Sequence, residues 1–182
     1  MNWSSSQPSF DFLHQILKDR VRSFEDIGPA FKMSVTIRAI QDGDKEGWLP
    51  LWDQYNEFYK RTIPTNVTDT TFSRFLDDKV RMYAAVAVND SGKVVGFAHW
   101  YPHASTSAIE ETVYLHDLFV DPSTRNAGVG RKLIAHVTDY SKQLPAEHLY
   151  WHTQHFNHRA QLLYTKVATK TDFVMYSVET KK

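Results

Sequence analysis

The chain has 182 residues, with 21 Lys and Arg against 21 Asp and Glu, nine His and no Cys. That length suits one domain with an arm, able to bury roughly 70% of its unfolded surface without metal or disulfide staples. The lack of Cys excludes disulfides, thiolate zinc sites, iron–sulfur clusters and a Cys nucleophile, and the balanced charge supplies no overall field toward nucleic acid or an anionic membrane.

No apolar run approaches the roughly 20 residues that span a bilayer, so a soluble protein with neither membrane nor nucleic-acid partners is expected. Residues 1–10 lack the basic and apolar regions of a secretory signal, which makes the cytoplasm the expected address, with the nucleus as the alternative. Phe10, Leu13, Ile16, Leu17, Val21 and Phe24 fall at helical spacing, so residues 1–33 read as an amphipathic arm broken by Gly28-Pro29. From Ser34 the pattern changes. Residues 34–40 alternate as a strand, and Asp42-Gly43-Asp44 offers turn and capping chemistry for a helix through about Arg61, with Pro50 predicting a kink or a start. That helix carries Trp48, Leu51, Trp52, Tyr55, Phe58 and Tyr59.

A second helix is predicted over 68–76, capped by Thr68 or Asp69. Two β-rich runs, 82–88 and 93–101, flank the hairpin signal Asn89-Asp90-Ser91-Gly92, and a third covers 112–120. Helical spacing returns over 128–144 and stops at Pro145. A strand over 149–153, a helix over 157–167 and a strand over 173–178 complete the chain. No internal repeat appears, and residues 34–182 read as one α/β domain around a mixed sheet.

The stretch from His116 to Leu133 carries the most chemistry. A buried strand runs through an Asp121-Pro122 turn into a loop with Gly128 and Gly130, then into an amphipathic helix. Glycines admit close approach of a ligand, and the first-turn N–H groups with Arg125, Arg131 and Lys132 suit phosphate oxygens. Neither a P-loop nor a three-glycine dinucleotide fingerprint is present.

Arg125-x-x-Gly128-x-Gly130 after Leu118-Phe119-Val120 resembles the acetyl-CoA pyrophosphate loop of the GNAT N-acetyltransferases. Asn157-His158-Arg159-Ala160-Gln161-Leu162-Leu163-Tyr164 is similar to the second signature of that superfamily, an Asn opening a helix with a Tyr seven residues on. The resemblance implies a mostly antiparallel mixed sheet, helices on both faces, and a V-shaped split between two parallel strands. It also implies an N-acetyltransferase with acetyl-CoA as co-substrate, no metal, a small-molecule amine acceptor and a homo-oligomer, dimer or dimer of dimers. Within the superfamily the chain resembles fungal enzymes acting on D-amino acids and a sister branch acting on polyamines and histones. D-amino acids are thus the expected acceptors, polyamines or histone lysines the alternative, and a non-catalytic acyl-CoA-binding module the rival.

The resemblance assigns cofactor contacts to Leu118, Phe119, Val120, Arg125, Asn126, Ala127, Gly128, Val129, Gly130, Arg131, Lys132 and Asn157. Transfer needs a neutral amine and a proton for the departing thiolate, and a phenol with pKa near 10 can give that proton, which nominates Tyr164. His116, where polyamine enzymes carry Glu, is a candidate base with Asp117 beside it. A substrate-shaping or structural His116 stays open, since adjacent strand residues usually face opposite ways. A substrate carboxylate would need a cation such as Arg61, Arg74 or Arg81. His148, His152, His155 and His158 lie close in sequence, but their spacing crosses a strand, a loop and a helix start without a carboxylate, against a metal site. Val167-Ala168 replaces the usual Gly-Phe, leaving the entry to the last strand open. Self-association is expected through residues 173–179, whose edge could pair with another chain.

Overall fold

The protein is described here by a computed structural model, which describes residues 34–180; the predicted arm over 1–33 lies outside the described residues. β1 (Val35–Ala39) leads into a one-turn 3-10 helix, Asp42–Asp44. A capping box forms there: the Asp44 carboxylate accepts from the Gln41 N–H at 2.8 Å and clasps Arg38 through two bonds of 2.6 and 2.7 Å. α1 (Lys45–Phe58) follows. It runs through Pro50, whose missing N–H forgoes the bond to the carbonyl one turn earlier. Trp48, Trp52 and Tyr55, one turn apart, stack in series at 5.5 and 5.7 Å between ring centroids.

α2 (Thr65–Leu76) starts one turn before the predicted cap, directly after Pro64. Pro64 sets an extended entry, and Thr68 is spent inside the helix, accepting from Trp52 Nε1 at 3.2 Å. Phe72 from α2 meets the buried Trp48 ring at 5.2 Å, closing one aromatic layer. β2 (Tyr83–Asn89) and β3 (Val94–His103) form the predicted hairpin, in which Asn89 Oδ1 accepts from the N–H groups of Ser91 and Lys93. β4 (Thr112–Val120), α3 (Val129–Gln143), β5 (His148–Tyr150) and α4 (His158–Tyr164) complete the regular elements.

The five strands lie in the order β1-β2-β3-β4-β5, antiparallel except for the last pair. Helix α1, with α2 beyond it, covers one face through Trp48 and Trp52, which pack on Phe97 of β3; α3 covers the other through Leu133, Ile134 and Val137. β4 and β5 pair in parallel over only three residues, Thr112–Tyr114 against His148–Tyr150. Beyond Tyr114 the two strands part, so the rest of β4 presents an open backbone edge on that side. This is the V-shaped split. Residues 173–178, predicted as a final strand, pair with nothing among the described residues: Phe173 and Tyr176 are 92% and 91% exposed, and Val174, Met175 and Val178 are exposed too. A β-prone run becomes a strand only when an edge receives it, and the described residues bring none to it.

Candidate active site

One irregularity in the sheet places the predicted base. Across β3 and β4, His99 faces Asp117 and Trp100 faces Leu115, so His116 has no partner and forms a β-bulge. A bulge lets two consecutive side chains share a face. The His116 ring lies 5.3 Å from Tyr114 and 5.9 Å from Tyr101, on the same side as Asp117, which removes the objection from strand alternation.

Asp117 is buried and stands between two imidazoles. Its Oδ2 accepts from His99 Nδ1 at 2.9 Å. Its Oδ1 lies at an ion-pair distance of 2.9 Å from His116 Nδ1, off the line of a well-aligned hydrogen bond. Behind them, Trp48 Nε1 donates to His99 Nε2 at 3.0 Å. Indole is a donor only, so His99 must carry its proton on Nδ1 and hand that hydrogen bond to Asp117. Burial lowers the pKa of His99 against the pull of Asp117, keeping it neutral. Burial alone would raise the Asp117 carboxyl, but the close His116 imidazole and the hydrogen bond from His99 outweigh it and hold the group well below the usual carboxylate range. Asp117 in turn raises His116 above its ordinary value, against burial.

The cavity beside His116 measures about 20 Å³, enough for one water-sized group. Tyr55, Tyr59, Trp151, His152 and Tyr164 line it with His116, Leu115 and Leu118. Two residues 48 positions apart in sequence, Tyr164 and His116, thus face one small space. Burial, reinforced by Tyr59, pushes the Tyr164 phenol up to about 12, so it keeps its proton at neutral pH.

A larger cavity of about 580 Å³ adjoins it, and Tyr59, Leu118 and Tyr164 border both. Its lining includes Leu118, Phe119 and Val120 from the unpaired part of β4, then Arg125, Asn126, Gly128, Val129, Gly130, Arg131 and Asn157. Gly128 caps α3 with φ +79°, a conformation that costs other residues strain, and Asn126 has φ +71°. The first-turn N–H groups of α3 have no intrahelical acceptors, and no acidic side chain sits in that turn. A β-carbon on Gly130 would come within 3.1 Å of Leu163, so glycine lets α3 and α4 approach here. Free donors beside arginines suit the diphosphate of a coenzyme.

Two predicted contacts fall elsewhere. Lys132 turns away, its Nζ donating to the Val35 carbonyl at 3.2 Å, because the fourth position of α3 faces β1. Ala127 does not line the cavity. Asn157 stands at the start of α4 but gives its amide to Thr153 Oγ1 at 3.1 Å rather than capping the helix. Sequence reasoning missed Arg159 and Lys166, which add two cations to the cavity; Arg159 reaches Asn126 Oδ1 at 3.2 Å. Both lay inside or next to the second motif. His99 was missed as well, its sole signal being an imidazole within the apolar run from Val94 to Trp100. Among the described residues no group of three or more His or carboxylates is placed to hold a metal ion; His152 Nδ1 instead pairs with the Tyr114 hydroxyl at 3.2 Å.

Comparison with known proteins places this geometry. Residues 47–168 match the acetyltransferase (GNAT) family. The chain is 46% identical over 143 residues to the D-amino-acid N-acetyltransferase HPA3 of Saccharomyces cerevisiae (strain ATCC 204508 / S288c), covering 78% of this chain and 89% of that protein. It is 30% identical over 146 residues to the uncharacterized N-acetyltransferase YhfO of Bacillus subtilis (strain 168), covering 78% and 95%. Among solved structures, the aminoglycoside N-acetyltransferase AAC(6')-Iy in complex with CoA superposes with a TM-score of 0.70 at 21% identity, covering 82% of this chain and 97% of that one. A split parallel pair, a glycine loop on α3 and sequence identity near one half over most of the chain lead to one statement: this chain belongs to the GNAT family and is an acetyl-CoA-dependent N-acetyltransferase.

Proposed function

We propose that the enzyme acetylates the α-amine of D-amino acids by direct transfer within a ternary complex. The acceptor class rests on the similarity to the yeast D-amino-acid enzyme. The chemistry rests on one observation, that Tyr164 borders both cavities while His116 faces the smaller. Acetyl-CoA supplies the acetyl group as an activated thioester. Arg125, Arg131, Arg159 and the first turn of α3 would hold its phosphates, and the open edge of β4 its amide-bearing arm. His116 takes the proton of the bound ammonium and is stabilised as imidazolium by Asp117. Tyr164 keeps a proton for the departing sulfur. With no Cys in the chain, no acyl-cysteine step is available.

A polyamine would be served by carboxylates, and the lining of the smaller cavity holds none; behind it Asp117 is engaged by His99 and His116, and Glu111, just before β4, is committed to Arg81. We further propose self-association through residues 173–178, supported by five exposed apolar side chains within six positions.

Thiol release tests the function, with D- and L-amino acids, spermidine and a histone peptide as acceptors. D-amino acids should turn over with the highest kcat/KM. Tyr164→Phe should lower kcat about a hundredfold or more while the KM for acetyl-CoA changes little. A preference for spermidine or the peptide would overturn the acceptor assignment, and an unchanged kcat would remove Tyr164 from the acid role.

A further inference from the structure

Of the three arginines that could meet a substrate carboxylate, one is committed and one makes no cation–π contact with the aromatic residues that line the small cavity. Arg81 holds Glu111 through both of its terminal nitrogens, and Arg74 lies in the last turn of α2 without a hydrogen bond or ion pair among the described residues. Arg61 is different. It stands just past α1, where the chain closes with two bonds: Lys60 N–H to the Glu57 carbonyl and Arg61 N–H to the Asn56 carbonyl, both 2.9 Å. This is a Schellman turn, and its left-handed residue is Lys60 at φ +54° rather than glycine. A left-handed residue with a β-carbon is strained, and a closure of this kind fixes where the next side chain starts.

The guanidinium is held as firmly. One terminal nitrogen donates to Asn56 Oδ1 at 3.0 Å. Asn56 is 5% exposed and is itself locked, since its Nδ2 donates to the Trp52 carbonyl at 2.9 Å. The guanidinium carbon lies 5.3 Å from the Tyr55 ring and 5.2 Å from the Tyr59 ring, and both rings line the small cavity with His116 and Tyr164. Among the described residues no carboxylate lies within ion-pair distance of Arg61. It is a preorganised cation with donors to spare beside the amine's place, and its charge acts on the titration of His116.

We propose that Arg61 is the carboxylate anchor of the acceptor site, receiving the α-carboxylate of an amino acid whose amine lies between His116 and Tyr164. The assignment rests on the amino-acid acceptor proposed above and names the group that selects it. In an α-amino acid one carbon separates amine from carboxylate, so a site that grips both ends fixes that carbon. Exchanging D for L then swaps the side chain with a hydrogen, and stereochemistry becomes readable by shape. Neither a polyamine nor a lysine side chain carries the group that Arg61 is set to grip.

The test compares wild type, Arg61→Lys and Arg61→Met on D-phenylalanine and on D-phenylalaninamide, which keeps the amine and the ring but lacks the carboxylate. Calorimetric binding of D-phenylalanine serves as a readout independent of turnover. For Arg61→Met, kcat/KM on D-phenylalanine should fall roughly 10- to 100-fold through KM, the loss on the amide should be at least tenfold smaller, and Arg61→Lys should lie between. Calorimetry should follow the same order, and acetyl-CoA affinity should stay within about a factor of two, showing that the variants are folded. Equal losses on acid and amide, or undiminished binding of D-phenylalanine, would overturn the anchor. Should wild type bind D-phenylalanine through Arg61 without acetylating it, the anchor stands and the proposed function falls; should wild type not bind it, the anchor falls too.

Discussion

Asp117 divides its two oxygens between two imidazoles with opposite fates. His99, sealed behind it and receiving the Trp48 N–H, is lowered and stays neutral; His116, open to the small cavity, is raised. Only His116 can therefore change its charge near neutral pH, and with Nδ1 turned to Asp117 its Nε2 is the nitrogen left for a substrate proton. A base must be neutral to act, so kcat/KM should increase with pH through the pKa of His116, which Asp117 places above about 6.5. Removing the carboxylate removes the largest cause of that increase. In Asp117→Asn the acidic limb should move to lower pH, while in His116→Gln it should vanish; pH–rate profiles of kcat/KM on one acceptor decide this. A limb that stays put in both variants would assign it to the acceptor's own amine. Sequence showed His116 and Asp117 as neighbours but not that both side chains lie on one face of the sheet, because that depends on an unpaired position visible only in the β3–β4 register.

The same register gives Gly96 its place among the elements. It pairs with Val120 at the far end of β4, and a β-carbon there would lie 2.8 Å from the Phe119 carbonyl oxygen and 3.4 Å from Leu133. Backbone cannot yield as a side chain can, so Gly96→Ala should push β4 outward and destabilise the fold by about 1–3 kcal/mol, read as a lower Tm in thermal denaturation. A Tm unchanged within a degree would mean that the strands absorb the methyl group. Most of these elements were legible in sequence: strand alternation, the Asn89-to-Gly92 turn and the α3 spacing all predict what forms. Boundaries moved where tertiary demands overrode local signals. Thr68 looked like a cap and became a buried acceptor for Trp52; β5 shrank to three residues because its chain veers from β4 to open the split. The larger cavity was legible because backbone N–H groups and glycine follow local rules, whereas Arg159 and His99 enter through neighbours distant in sequence.

At the scale of the molecule, residues 173–178 show the limit of reading one chain. Their apolar, β-prone composition predicts a strand, yet their side chains stand exposed among the described residues. If a second copy receives them, truncation after residue 172 should shift sedimentation toward monomer at a concentration where the full chain associates. Identical distributions would place the association, or its absence, elsewhere. A different consequence follows from the buried Trp48–His99–Asp117–His116 chain. With His116 in the neutral form that a base needs, it carries one negative charge, that of Asp117, since His99 is neutral. Loading a proton onto His116 brings its sum to zero. In the proposed cycle the step that separates charge at the amine therefore cancels charge behind it, and the interior is least polarised when the base is full.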